Sequence, residues 1–246
     1  LSFTGSTDVG KGLLREAADN VLRTSMELGG CAPFIVFGDA DLDRAVAAAK
    51  SAKLRNMGEA CNAANRFYVS RELAAEFEGL VVGDGLDPST DIGPIITSGQ
   101  RQRIRGLVEG ARERGAKVLT GGEDVAGPGY FYRPTVLTVT DPGEPVICEE
   151  LFGPVAPVVP FDSEEQVLAW ANSSPVGLAA YVHTGDIGRA LRMTERLEVG
   201  MTGINSAAIS NPAAPFGGVK HSGLGREGGS EGIAEYLETI YVGIPV

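Results

Sequence analysis

Short apolar runs alternate with helix-patterned stretches along almost the whole chain, and this alternation limits the fold more than any other feature. PFIVF (33–37), NRFYV (65–69), AKVLT (116–120), VAPVVPF (155–161), GLAAYVHT (177–184) and MTGIN (201–205) are strand-sized, and GPGYFYRPTVLTV (127–139) reads as a turn leading into a strand. Between them lie helical patterns over 8–23, 39–56, 71–80, 98–114, 163–172 and 185–198. The stretch at 39–56 is acidic at its start and basic at its end, which complements a helix dipole. Strands that are apolar on both faces and separated by helices imply an α/β fold with a mainly parallel sheet, covered by helices on both faces. The last residues, EYLETIYVGIPV (235–246), read as a β-rich terminus that joins either the chain's own sheet or another chain.

The chain opens LSFTGSTDVGKGLL, close to the nucleotide-triphosphate loop G-x-x-x-x-G-K-[ST]. Gly12 follows Lys11 where that loop needs a hydroxyl for Mg²⁺. A net charge of −11 argues against a nucleic-acid partner, which needs a basic surface. No apolar run approaches the ~20 residues of a membrane span, and no basic-then-apolar leader opens the chain. The three cysteines form no CxxC pair and there are two histidines, so a metal site is not expected and a reducing, cytoplasmic compartment is. With no initial methionine, the sequence reads as part of something longer.

Four stretches carry chemistry. In MELGGCAPF (26–34), Glu27 precedes two glycines, where a glutamate is most often a solvated turn residue. In RNMGEACNAANRFYV (55–69), Cys61 sits among small residues between a helix and a strand. An isolated cysteine is commonly a small buried hydrophobe, yet the accessible backbone here suits a thiolate that attacks a carbonyl while main-chain N–H groups receive the oxyanion. In CEELFGP (148–154), adjacent carboxylates point apart, leaving one free to accept hydrogen bonds from vicinal ribose hydroxyls. PFGGVKHSGLGREGG (215–229) is either a loop or a wall facing a substrate.

FTGST, MELGG, a cysteine after G-x-x, E-x-F-G-P and P-F-G-G-x-K-x-S-G occur here in the order found in aldehyde dehydrogenases. The sequence resembles the C-terminal, catalytic half of that superfamily over its entire length. NRFYV, AISNPAAPFGG and SGLGREGG make it most similar to the succinate-semialdehyde branch. The resemblance implies that Cys61 is the nucleophile, passing through a thiohemiacetal and a thioester, and that Glu27 is the base that activates water. It implies an NAD or NADP cofactor contacted by Gly5, Ser6, Leu28, Glu150 and Phe152. On that view the opening loop is a dinucleotide site in which a helix N-terminus receives phosphate, and Lys11 is incidental. Arg55 and Ser210 match groups that hold the distal carboxylate of succinic semialdehyde, and Phe216 lines the aldehyde channel. A guanidinium suits a carboxylate, although Arg55 is equally placed to complement a helix C-terminus. The implied organisation is a remnant of the cofactor-binding domain over 1–29, a catalytic domain over 30–222, and a C-terminal helix with an oligomerisation strand over 223–246. A homo-oligomer, dimer or tetramer, follows from that strand.

Nothing here matches the family's N-terminal half, which supplies an oxyanion-hole asparagine, the groups around the adenosine ribose and a second substrate arginine. Cys31 stands where the branch commonly has Asn, and Ala63 stands where some relatives carry another cysteine. The helix at 71–80 reads as roughly two turns short. Two rival readings remain: a truncated, inactive homologue acting as an oligomerisation or binding module, and a thiol hydrolase pairing Cys61 with His183 or His221.

Overall fold

The computed structural model describes residues 1–69 and 91–245. The helix expected over 71–80, its shortness, and all but the last four residues of the loop at 82–94 lie outside the described residues.

Strands β1 (Ser2–Thr4), β2 (Ser25–Glu27), β3 (Ala32–Val36), β4 (Ala64–Val69), β5 (Lys117–Thr120), β6 (Thr135–Thr138) and β7 (Val155–Val159) are followed by β8 (Val176–Gly177), β9 (Ala179–His183), β10 (Met201–Ile204), β11 (Val219–Lys220) and β12 (Gly223–Leu224). Helices are α1 (Thr7–Ala18), α2 (Leu42–Leu54), α3 (Ser98–Glu113), α4 (Pro145–Cys148), α5 (Glu164–Asn172), α6 (Ile187–Arg196) and α7 (Gly229–Ala234).

Among the described residues the main sheet has seven strands in the order β10-β9-β3-β4-β7-β6-β5, parallel except for the antiparallel β5–β6 pair at one edge. The pleat sends alternate residues to opposite faces. Phe34 and Val36 pack with Ala45, Val46, Ala49 and Ala52 of α2, while Ile35 packs with residues of α3, α5 and α6 on the other side. The expected α/β sheet with both faces covered is therefore present. The Phe34 ring lies 5.2 Å from that of Phe67, tilted 33° to it, and burying such a side chain contributes about 1.5–3 kcal/mol. Side-chain caps start the helices: Asp41 accepts from the Arg44 N–H, and Ser163 from the Gln166 N–H.

A second sheet, β1-β2-β12, joins the start of the chain to residues 223–224, and Gly223 lies opposite Glu27. The residues just before β3, β4 and β7 all lie at the amino ends of neighbouring parallel strands. That is where the candidate residues gather.

One expectation fails, and one of the two alternatives for the terminal stretch is excluded. The first helix stops at Ala18, short of Arg23. The Ala17 carbonyl accepts N–H groups from both Asn20 and Leu22, and Val21 turns left-handed (φ 53°) with its side chain 90% exposed, so no burial sustains another turn. The terminal stretch forms no strand over 235–245, in its own sheet or elsewhere among the described residues. Its first residues are tethered, with the Tyr236 hydroxyl donating to Ser2 Oγ and Arg23 to the Leu237 carbonyl. Ile240, Tyr241, Val242 and Ile244 are exposed.

Candidate active site

A cleft of about 720 Å³ opens at the amino ends of the strands, lined by Gly5, Ser6, Glu27, Leu28, Cys61, Glu150 and Phe152 among others. All of these were expected from the sequence. Arg55, Ser210 and Phe216 do not line it. Arg55 and Ser210 adjoin Cys61 through Asn62, and Phe216 packs, as Cys61 does, against the apolar cluster under α2.

The floor is built on glycine. A side-chain carbon on Gly29 would come 2.6 Å from Glu150 Oε2, and one on Gly30 would come 2.3 Å from the Cys61 carbonyl oxygen. The E-L-G-G sequence thus brings Glu150 and the cysteine loop against the strand that carries Glu27. Gly30→Ala should destabilise the chain by about 2–4 kcal/mol, because the clash is with backbone and with Leu178 behind it. Gly12→Ala, which meets nothing within 4 Å inside α1, should be neutral or stabilising. Urea unfolding midpoints of the two variants test the contrast.

Glu27 is 4% exposed at the end of β2, and among the described residues neither carboxylate oxygen has a hydrogen-bond partner. Burial, and then the carboxylate of Glu227, push its pKa up to about 7, against the pull of Arg226. A carboxyl group poised near neutrality can hold or accept a proton. The Gly5 N–H donates to the Glu27 carbonyl at 3.0 Å, tying the opening loop to this strand.

Cys61 is half-buried in the turn before β4. Burial, then the carboxylates of Glu150 and Glu27, push its thiol up. Cys148 is exposed, with its thiol on the Pro142 carbonyl. Cys31 is buried, receives a bond from Asn65 Nδ2 at 3.1 Å, and donates to the Ile147 carbonyl. It therefore packs against the end of α4 and does not line the cleft, despite its closeness in sequence to Glu27.

Glu150 Oε1 accepts the Gly30 N–H at 3.0 Å, while Glu149 turns away to pair with Arg103. Burial raises the Glu150 pKa, with the Gly30 N–H, Arg103 and Lys53 opposing. The segment 149–152 is held by residues that sequence reasoning missed. Asn65 receives the Leu151 N–H and donates to the Glu149 carbonyl. Gln100 donates to the Leu151 and Phe152 carbonyls, both at 2.8 Å, and Arg103 donates to the Glu150 carbonyl. These bonds hold Phe152 in a left-handed conformation (φ 48°). The Gln100 and Arg103 pair sits three residues apart on one helix face, a spacing visible in the sequence.

At the other end, Ser6 caps α1 through the Val9 N–H, and the helix presents its first-turn N–H groups to the cleft. Asp8 lies on that turn and adds a negative charge. Lys11 points away to His221 Nδ1, 3.3 Å distant, as expected of an incidental residue. A helix N-terminus at one end and a buried carboxylate acceptor at the other fit a ligand bearing phosphates and ribose hydroxyls. Among the described residues no group of His, Cys, Asp or Glu could hold a metal, and no helix is long and apolar enough to cross a membrane.

Neither histidine lines the cleft. His183 is buried, stacked on Phe34, and pushed down to about 4 by burial. The thiol-hydrolase reading has no imidazole beside Cys61 to rest on.

The aldehyde dehydrogenase family model matches residues 1–242. The chain belongs to the aldehyde dehydrogenase family. It is similar to a succinate-semialdehyde dehydrogenase of Paenarthrobacter nicotinovorans, at 56% identity covering 99% of this chain and 56% of the relative. A 3-sulfolactaldehyde dehydrogenase of Pseudomonas putida is 49% identical over 98% of this chain and 51% of its own. The NAD⁺ complex of an aldehyde dehydrogenase from Bacillus cereus superposes with a TM-score of 0.92 at 38% identity, covering 96% of this chain and 50% of that one. The chain thus spans about half the length of the curated relatives it matches. In this member of the aldehyde dehydrogenase family, Cys61, Glu27 and Glu150 share one cleft.

Proposed function

We propose that this chain carries the nucleophile and base of an NAD- or NADP-dependent aldehyde dehydrogenase acting on a short aldehyde with an anionic far end, succinic semialdehyde being the best fit. The observation that carries the reading is the common lining of one cleft by Cys61, Glu27 and Glu150. The organisation that goes with it is a cofactor-binding remnant over 1–29, a catalytic domain over 30–222 and an oligomerisation segment over 223–246. Exposed apolar side chains at Ile240, Tyr241, Val242 and Ile244 support pairing of that segment with a second copy.

Cys61 adds to the aldehyde carbon, giving a thiohemiacetal whose oxygen lies near main-chain N–H groups of the cysteine turn. A nicotinamide dinucleotide, if bound there, would supply the hydride acceptor needed for oxidation of that adduct to a thioester held on Cys61. Glu27, ionised above pH 7, then takes a proton from water as the water attacks that thioester, releasing the acid and regenerating the thiol. Glu150 orients the ribose end, and the α1 N-terminus receives phosphate. Arg55 and Ser210 hold the far carboxylate, and Phe216 walls the approach.

Reduced nicotinamide formed by this chain from succinic semialdehyde, with NAD and with NADP, is the test. Turnover at least about tenfold above that with butanal is expected. Equal turnover of the two aldehydes would remove the anionic-end assignment, and silence with both cofactors would move the chain to a non-catalytic module.

A further inference from the structure

Asn62 follows the candidate nucleophile, is 4% exposed, and joins two residues that are far apart in sequence. Its Oδ1 accepts from Arg55 Nη2 at 3.2 Å, and its Nδ2 donates to Ser210 Oγ at 3.1 Å. The Tyr181 hydroxyl, buried beneath, donates to the Asn62 main-chain carbonyl at 2.7 Å and fixes the turn.

The direction of these bonds is dictated by chemistry. A guanidinium only donates, so the amide oxygen must face Arg55 and the amide nitrogen must face Ser210. Ser210 Oγ is then an acceptor toward Asn62, which leaves its O–H hydrogen free to point outward. Among the described residues Ser210 donates to no other group, and Arg55 has no carboxylate partner. Arg55 is the residue that ends α2, yet its guanidinium reaches Asn62 and does not return to that helix's carbonyls.

We infer that Asn62 is a positioning residue that sets the substrate selectivity of this site. By holding Arg55 and Ser210 with its oxygen toward one and its nitrogen toward the other, it makes both present donors to the same place. The ligand end that fits is an anion, a carboxylate or a sulfonate, on an aldehyde short enough to reach Cys61 from there. This rests on the reading of Cys61 as the nucleophile and of Arg55 and Ser210 as the distal clamp. Asn62 adds the element that orients them.

Asn62→Asp keeps the size and reverses the logic. A carboxylate accepts from both neighbours, turning the Ser210 O–H inward and neutralising Arg55. The test needs no turnover: succinic semialdehyde and butanal compete with iodoacetamide for Cys61 in the whole chain, with alkylation read on the Cys61 peptide by mass. In the unsubstituted chain, succinic semialdehyde should protect at a concentration at least about tenfold below butanal. In Asn62→Asp that advantage should fall at least about tenfold, the loss of one charge-assisted hydrogen bond, while butanal protection stays within about twofold. Asn62→Ala, which deletes the bridge without adding charge, should shift succinic semialdehyde the same way and serves if the aspartate variant does not fold. Equal weakening of both aldehydes, or no change in either, overturns the role of Asn62. No preference for the anionic aldehyde in the unsubstituted chain, or no protection at all, overturns the underlying clamp or nucleophile assignment instead.

Discussion

Cys61→Ala should abolish the proposed aldehyde oxidation, a loss of about 10⁴-fold or more, because no other thiol is placed to take over the covalent step. Cys148 lies outside the cleft against the Pro142 carbonyl, and Cys31 is buried against the end of α4. Cys31→Ala and Cys148→Ala should therefore keep their turnover, so the three variants measured side by side isolate the nucleophile. Oxidation surviving in Cys61→Ala at more than about a hundredth of the normal rate would sink the assignment. Burial and the carboxylates of Glu150 and Glu27 push the Cys61 thiol above its ordinary range. Alkylation of Cys61 by iodoacetamide should accordingly be slow at neutral pH and rise on the alkaline side.

Glu27→Gln separates the two halves of the reaction. Deacylation should slow about 10²–10⁴-fold, so that an acyl adduct accumulates on Cys61 and is seen as added mass. The thiol itself should become easier to ionise, because the substitution removes one of the carboxylates that raise it. Iodoacetamide should then react faster at a fixed pH in the variant, while product release is slower. A merely structural glutamate would not move these two rates in opposite directions. Deacylation in the unsubstituted chain should rise as Glu27 ionises around pH 7 and be flat there in the variant. Stability follows the same group. Between the ordinary glutamate range and pH 7 the unfolded chain has released this proton and the folded chain keeps it, so stability falls as pH rises across that window. Glu27→Gln should remove that slope. Normal steady-state turnover in the variant would dismiss Glu27 as the base.

The sheet and the cleft were legible in the sequence for different reasons. PFIVF and the last three residues of NRFYV are apolar on both faces because β3 and β4 are central strands packed under helices on each side. Glu27, Cys61 and Glu150 could be placed because each sits in a short motif whose glycines or small residues allow close approach. Asn62 and Asn65 escaped notice because a single asparagine has no period or motif to mark it. Their roles exist only once Ser210 and Leu151 have been brought to them from far along the chain. For the terminal stretch only one of two alternatives is excluded, a strand in the chain's own sheet. Its β-rich pattern is real, but a pattern states a preference and not a partner, and neither edge of the main sheet receives it among the described residues.

The strand that bears Glu27 is bordered on one side by residues about two hundred positions further along the sequence. Gly223 and Leu224 pair with it, the Leu28 N–H donates to the Ser222 carbonyl, and the Ser222 hydroxyl donates to the Gly29 carbonyl at 2.7 Å. On the ribosome, where a chain emerges at about 5–20 residues per second, Glu27 and Cys61 are made well before Ser222. Between those two moments the nascent polypeptide carries both side chains without the clasp that borders the Glu27 strand. A chain that stalls between residues 61 and 222 therefore holds the thiol and the carboxylate with one border of the Glu27 strand still open.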